Sequence, residues 1–108
     1  MAQVMVQIKW VANPFRGDKF EEAWRPAAEA VLQYGASWWA LLRAAEGRLD
    51  FTQLALFEDK LDFDRYWYSE EISEARALAS GLFQVPVLPA YHEITGLGAL
   101  SPAQAAAT

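Results

Sequence analysis

The stretch LDFTQLALFEDKLDFDRYWYSEEISEARALAS, residues 49–80, decides the fold of this chain. Residues 49–58 have the content of a β-strand, with apolar side chains on both of its faces. A short acidic connection follows, and a helical pattern begins near Asp62. The rest of the chain is arranged around this strand–helix unit.

The helical part of this stretch changes its apolar face halfway along. Phe63, Tyr66 and Trp67 share one face, but the same face carries glutamates further along the helix. The apolar pattern resumes at Ile72 on another side, and a straight helix cannot bury both sets against one surface. Ser69 precedes two glutamates, a pattern typical of a helix start, where a hydroxyl caps the backbone and acidic groups meet the positive end. We therefore expect a break at Ser69.

Two further strands are predicted before this unit. Residues 4–11 alternate and contain β-branched side chains, and Pro14 prevents the ladder from continuing. Residues 37–45 are apolar at nearly every position, which indicates a strand covered on both faces. Because only the short turn 46–48 separates this run from residues 49–58, the two strands are expected to form an antiparallel hairpin.

A helix is predicted between the first two strands. Asp18 is a suitable N-cap with Glu21 three residues later, and an apolar stripe continues to Tyr34 at spacings of three and four. Gly35 ends the helix in the left-handed conformation that glycine favours. Pro26 falls on the solvent side, so we expect one bent helix. The alternative is two short helices, with Pro26 opening the second.

The last strand is predicted over residues 85–95, after a helix end marked by Gly81. Pro86 lies early in this strand and confines it to a sheet edge, since proline has no N–H for the ladder. Residues 1–96 thus form one domain. The small, Ala-rich tail 97–108 is expected to be mobile or to lie against a partner.

The order of elements is β-α-β-β-α-β, which predicts an α+β, ferredoxin-like fold. In that fold a four-stranded antiparallel sheet carries both helices on one face. The strands are nevertheless apolar on both faces, and 54% of the 108 residues are hydrophobic, more than so small a domain buries easily. Two sheets packed face to face would cover the second face. We therefore predict a homodimer that forms an α/β barrel through the sheet face.

Composition excludes several classes of function. The net charge of −5 argues against nucleic acid and against an anionic membrane surface, both of which attract basic proteins. The chain has no cysteine and a single histidine, His92, so thiolate chemistry and a multi-histidine metal site within one chain are excluded. There is no Gly-rich phosphate loop, so we expect neither an organic cofactor nor a metal. A signal peptide and a membrane span are not evident, and a cytoplasmic location is expected.

The pattern ALFEDKLDFDRYWYSEEISEARALAS, followed by VPVLPAYHEI, resembles the dimeric α/β-barrel superfamily, in particular antibiotic-biosynthesis-monooxygenase-type proteins. The resemblance covers residues 4–95 and rests on order, spacing and patterning. Members include cofactor-independent oxygenases of aromatic polyketides, heme-degrading oxygenases, isomerases and proteins without known activity. The resemblance alone does not choose among them.

Carried over residue by residue, the resemblance argues against heme binding. The position of the heme-ligating histidine corresponds to Arg76, and a protonated guanidinium cannot ligate iron. The position of a Trp in that branch corresponds approximately to Tyr66. In the quinone-forming oxygenases, Trp, Tyr, Asn and Arg side chains hold the substrate. The nearest counterparts here are Trp67, Tyr66, Arg76 and Tyr91, and the Asn has none.

The first hypothesis for function is an enzyme, an oxidoreductase or isomerase, with an apolar pocket between the sheet and the helices. The predicted lining is Trp38, Tyr66, Trp67 and Tyr91, with His92 or Arg76 as the polar catalytic partner. His92 is the natural proton carrier, and Arg76 is suited to orient an oxyanion or an enolate. The chemistry would be proton abstraction from, or oxygen addition to, an aromatic or enolisable small molecule.

The second hypothesis is a non-catalytic dimer that binds a hydrophobic small molecule or stabilises a partner. Helix stripes of aromatic residues are usually core, and a lone histidine on a strand usually has a structural hydrogen bond. Under this hypothesis the same side chains are packing, and an exposed ion pair accounts for Arg76.

Overall fold

A computed structural model describes residues 3–99 of the chain. Its strands are β1 (Val4–Val11), β2 (Ala36–Arg43), β3 (Asp50–Phe57) and β4 (Ala90–Glu93), and its α-helices are α1 (Gly17–Glu29), α2 (Lys60–Trp67) and α3 (Glu70–Leu78). A 3₁₀ helix, Ala30–Tyr34, extends α1. Most of the predicted tail, residues 100–108, lies outside the described residues. No helix within residues 3–99 has both the length and the apolar character to cross a membrane.

The four strands form one antiparallel sheet in the order β2-β3-β1-β4. β1 lies in the centre and pairs with β3 over its whole length, while β2 and β4 form the edges. The predicted β2–β3 hairpin and the α+β, ferredoxin-like architecture are confirmed. On β1, Val6, Ile8 and Trp10 are buried beneath the helices, and the alternate side chains point to the other face of the sheet.

The first helix runs through Pro26 without a break, and this proline is exposed as predicted. Gly35 ends the following 3₁₀ helix with φ 100°, also as predicted. The prediction of Asp18 as N-cap is wrong, because the helix already begins at Gly17. The carboxylate of Asp18 instead accepts a hydrogen bond from Nη1 of Arg43 on β2, at 2.8 Å. The carboxylate that the local sequence assigns to the helix N-cap is therefore bound by Arg43, a long side chain from the β2–β3 hairpin.

The predicted break at Ser69 is confirmed, and it separates α2 from α3. Ser69 Oγ accepts a hydrogen bond from the backbone N–H of Ile72 at 3.1 Å and donates one to the carbonyl of Tyr66 at 2.8 Å. The same hydroxyl thus caps the start of α3 and holds the end of α2. The start of α2 lies slightly earlier than predicted, since Asp59 is its N-cap and accepts from Leu61 N at 2.9 Å.

The last strand is shorter than the predicted residues 85–95, because β4 comprises only Ala90–Glu93. Pro86 and Pro89 cannot donate to β1, which leaves the preceding segment outside the ladder. That segment still contacts the sheet, as Phe83 forms an isolated antiparallel bridge with Ala12. The edge position predicted for this strand is confirmed.

Candidate functional site

The sheet divides the six predicted site residues into two groups. Tyr66 and Trp67 lie on the helix side, and Tyr91 joins them because it pairs with Val6, whose side chain is buried there. Trp38 pairs with Leu56 on the opposite, open face. Contrary to the prediction, Trp38 therefore does not line the space between the sheet and the helices.

His92 also lies on the open face, where it pairs with Met5. Its Nε2 is 2.9 Å from Oε1 of Gln7. Arg76, on α3, packs against Trp67 on the helix side. The two residues predicted as alternative polar partners are therefore separated by the sheet, and only Arg76 adjoins the aromatic cluster.

The space between sheet and helices is filled by aromatic side chains. The fully buried members of this core are Trp10, Phe20, Trp24, Phe51, Phe57, Phe63 and Tyr66. The Trp10 ring lies 4.6 Å from that of Trp24 and 4.9 Å from that of Phe83, between ring centroids. Such distances are those of rings in contact. The pocket predicted beneath Trp67 is therefore occupied by the protein's own side chains.

A buried hydrogen-bond network crosses this core around Gln53, a residue that is not among the predicted site residues. Oε1 of Gln53 accepts from the indole N–H groups of Trp10 and Trp24, at 3.0 and 2.8 Å. Nε2 of Gln53 donates to the hydroxyl of Tyr66 at 3.1 Å, and this hydroxyl donates to the carbonyl of Ala27 at 2.7 Å. Every member has a partner, which is the condition under which a buried polar network stabilises a core.

The network fixes the role of Tyr66. Burial, the largest cause, raises the pKa of its phenol above the ordinary value. The phenol therefore stays protonated, and its proton is engaged by Ala27. Tyr66 is thus a hydrogen-bonded core residue, and its neutral hydroxyl is not available as a general base.

A row of aromatic rings leads from β4 along the outer part of this core. The Tyr91 ring lies 5.7 Å from Phe63, and Phe63 lies 5.7 Å from Trp67. A cation lies over each end: Nζ of Lys60 is 4.7 Å from the Tyr91 centroid, and Cζ of Arg76 is 4.2 Å from the Trp67 centroid. Both distances are within the range of cation–π contacts.

The guanidinium of Arg76 is incompletely satisfied. Its Nη2 donates to Oγ of Ser73 at 3.3 Å, whereas Nη1 is buried and has no hydrogen-bond partner among residues 3–99. Burial lowers the pKa of Arg76 from its ordinary value. A buried cationic N–H without an acceptor is destabilising, and it is the type of group that binds an oxyanion. Within the helix-side cluster, Arg76 is thus the residue whose buried nitrogen lacks a hydrogen-bond partner among residues 3–99.

A shallow apolar groove lies on the open face. It has a volume of about 540 Å³, and its lining is Met5, Trp38, Leu56, Leu97, Gly98 and Ala99. The strand register places Trp38, Leu56, Met5 and His92 side by side, one from each strand. We call this row the cross-strand row. Among the described residues, no group of three or more His, Asp or Glu side chains is arranged to hold a metal ion.

The sheet order and the helix pair broken at Ser69 define a ferredoxin-like α+β protein. Comparison with solved structures identifies proteins that share this fold. A mutant of SnoaB, a cofactor-independent oxygenase from Streptomyces nogalater, is 13% identical with a TM-score of 0.76, over 90% of this chain and 97% of that one. An antibiotic biosynthesis monooxygenase is 13% identical with a TM-score of 0.75, over 86% and 99%. Rv0793 from Mycobacterium tuberculosis is 16% identical with a TM-score of 0.72, over 93% and 100%.

No protein-family model matches this chain, and no curated protein matches it. At 11–18% identity, the likeness to the solved structures establishes the fold. The chain therefore has the fold of antibiotic-biosynthesis-monooxygenase-type proteins. The resemblance inferred from the sequence is confirmed at that level.

Proposed function

We propose that this protein is a cytoplasmic, homodimeric enzyme of the cofactor-independent monooxygenase type, acting on an aromatic or enolisable small molecule. The observation that carries the proposal is the Arg76 guanidinium, which lies over the Trp67 ring with a buried nitrogen that has no acceptor within residues 3–99. The fold neighbours include a cofactor-independent oxygenase, and this supports the type of reaction.

In the proposed reaction, Trp67 stacks on a flat substrate and Arg76 binds the oxygen that becomes negative on deprotonation. A CH₂ group next to that oxygen-bearing carbon loses a proton to water. The resulting carbanion bonds to O₂, the peroxide anion takes back a proton from the protonated water, and the hydroperoxide so formed loses water to leave a carbonyl. One O₂ thus supplies the carbonyl oxygen and one water, and the substrate itself supplies the electrons.

Access to this site requires a local movement. Trp67 is only 8% exposed, while Arg76 and Tyr91 lie nearer to solvent. The Trp67–Arg76 contact is non-covalent and leaves one guanidinium nitrogen unsatisfied. We therefore expect the substrate to enter by separating these two side chains, because its oxyanion gives Nη1 the acceptor that it lacks.

The open face supports the homodimer. Its apolar side chains are Met5, Val11, Trp38, Ala40, Leu42, Leu54, Leu56 and Ala90. Trp38 and Leu42 are 45% and 52% exposed and lie on one face with the other members of this set, and a contiguous exposed apolar patch marks an interaction surface. The charged side chains at the strand positions of this face are Lys9 and Asp50, of opposite sign. A nearly neutral apolar face on a chain of net charge −5 is suited to self-association.

The test measures oxygen uptake with a panel of hydroxylated aromatic and 1,3-dicarbonyl compounds. Once a substrate is found, Arg76→Ala should lower kcat/KM by about 100-fold or more, since an oxyanion donor contributes about 10²–10³-fold. Arg25→Ala is the matched control, because Arg25 forms only an exposed ion pair with Glu21. Circular dichroism would confirm that both variants are folded. Unchanged turnover in folded Arg76→Ala would contradict the proposal.

A non-catalytic dimer is the second candidate, and the filled space between sheet and helices favours it. In this case the panel gives no turnover, and Arg76→Ala leaves the binding of any hydrophobic ligand unchanged. The same assay also tests His92, which lies on the open face. Loss of turnover in His92→Ala, with Arg76→Ala active, would move the site to that face.

A further inference from the structure

The open face is partly covered by the chain's own residues. β4 ends at Glu93, and the following residues 97–99 form one wall of the groove whose floor includes Met5, Trp38 and Leu56. Three of the four residues of the cross-strand row thus lie beside this segment. The described chain therefore places residues 97–99 as an apolar covering beside the row.

This covering is held loosely. Leu97 is 73% exposed, and no backbone hydrogen bond joins residues 95–99 to the strands in the described part of the chain. Gly96 and Gly98 flank Leu97, and a side chain added at either would have no neighbour within 4 Å. A segment with so few contacts can leave the sheet at low cost.

A second copy of the chain would need the same space. Two sheets that pack face to face lie about 10 Å apart, a distance filled by the side chains of the two inner faces. An additional backbone layer between them does not fit. Residues 97–99 and a second sheet therefore cannot occupy the cross-strand row at the same time.

We propose that residues 97–99 compete with the second copy of the proposed homodimer for the cross-strand row, and that they leave the row when the dimer forms. This inference rests on the homodimer of the proposed function, although not on its chemistry. The partner is a second copy because the face is apolar and nearly uncharged, whereas the rest of the chain is acidic.

The absence of cysteine from the chain allows a direct test. In the full chain, Met5→Cys with Leu97→Cys would be oxidised at low concentration to bind the segment covalently to the row. Sedimentation should show a concentration-independent monomer for the oxidised protein and a dimer for the same protein after reduction. The reduced protein is the matched control. A second pair, Leu56→Cys with Leu97→Cys, covers the case in which the first disulfide does not close.

The outcomes separate the two proposals. An oxidised protein that dimerises as tightly as the reduced one overturns the competition but leaves the dimer. Failure of both disulfides to close in a folded protein overturns the position of the segment, and with it the competition. A wild-type chain that stays monomeric up to about 100 μM, a concentration at which even weak pairs associate, overturns the dimer itself.

Discussion

At the scale of single residues, Gln53 has three buried side-chain hydrogen-bond partners within residues 3–99. Its side chain is 2% exposed and bonds to two tryptophans of different elements and to Tyr66. It therefore connects β3 to β1, α1 and α2 within a core that is otherwise apolar. Aromatic rings alone would pack in several arrangements, whereas one acceptor shared by Trp10 and Trp24 requires both indoles to converge on the same point.

Gln53→Leu should lower the free energy of unfolding by roughly 2–4 kcal/mol, because the indole N–H groups of Trp10 and Trp24 stay buried without an acceptor. The measurement is the urea midpoint with the m-value compared. Gln33→Leu is the matched control, because it makes the same change at an exposed position of the 3₁₀ helix. We expect it to change stability by less than about 0.5 kcal/mol. Equal stability of Gln53→Leu and the wild type would show that the network contributes little.

The alternation of β3 is enough to place Gln53 on the inward side of the strand, in one row with Phe51 and Ala55. A polar side chain in such a row was the observation that could have identified the network. Its partners could not be predicted, since Trp10 and Trp24 lie 43 and 29 residues away in sequence. The pattern of a strand gives the direction of a side chain, not what lies opposite.

At the scale of elements, local chemistry determined which predictions were correct. The break between α2 and α3 depends on Ser69 and its immediate neighbours, so the sequence contained all that was needed. Asp18 failed as an N-cap because Arg43 reaches it from another element. Arg43 Nη1 also bonds to Glu21 at 3.0 Å, so one guanidinium joins the β2–β3 hairpin to the start of α1.

Ser69→Ala should lower stability by about 1 kcal/mol, the usual contribution of a serine N-cap. For a domain of this size, this corresponds to a fall in Tm of roughly 4–8 °C in a calorimetric scan. Ser69→Asp should retain most of the stability, because its carboxylate can accept the same backbone hydrogen bond. Ser80→Ala, at an exposed position after α3, is the neutral control. A fall in Tm in Ser80→Ala as large as that in Ser69→Ala would contradict a capping role.

At the scale of the whole molecule, the candidate site was harder to predict than the fold. Trp38 and Trp39 are adjacent, so one had to face each side, and sequence could not decide which. The register shift between Ala36 and Trp38 decides it. Ala36 is buried on the helix side, and without this irregularity Trp38 would share that side. A bulge is set by pairing with β3, a non-local property, and it removed Trp38 from the expected pocket.

The apolar open face is the basis of the proposed homodimer, and Leu42 tests this proposal. Leu42 lies on that face at the edge strand β2 and is already 52% exposed, so an acidic side chain there should not unfold the single chain. In a face-to-face dimer, Leu42→Asp would bury one unpaired carboxylate from each copy. We expect the dimer dissociation constant, measured by sedimentation, to rise by at least about 100-fold, equivalent to about 2.7 kcal/mol.

Leu61→Asp is the matched control for Leu42→Asp, because Leu61 is 67% exposed on α2, on the helix side of the sheet. It adds the same charge to the chain without touching the open face, so its dissociation constant should stay within a few-fold of the wild type. Equal weakening by both substitutions would mean that net charge controls association. Weakening by Leu61→Asp alone would place the contact on the helix side. Only a selective effect of Leu42→Asp agrees with two sheets that cover one another.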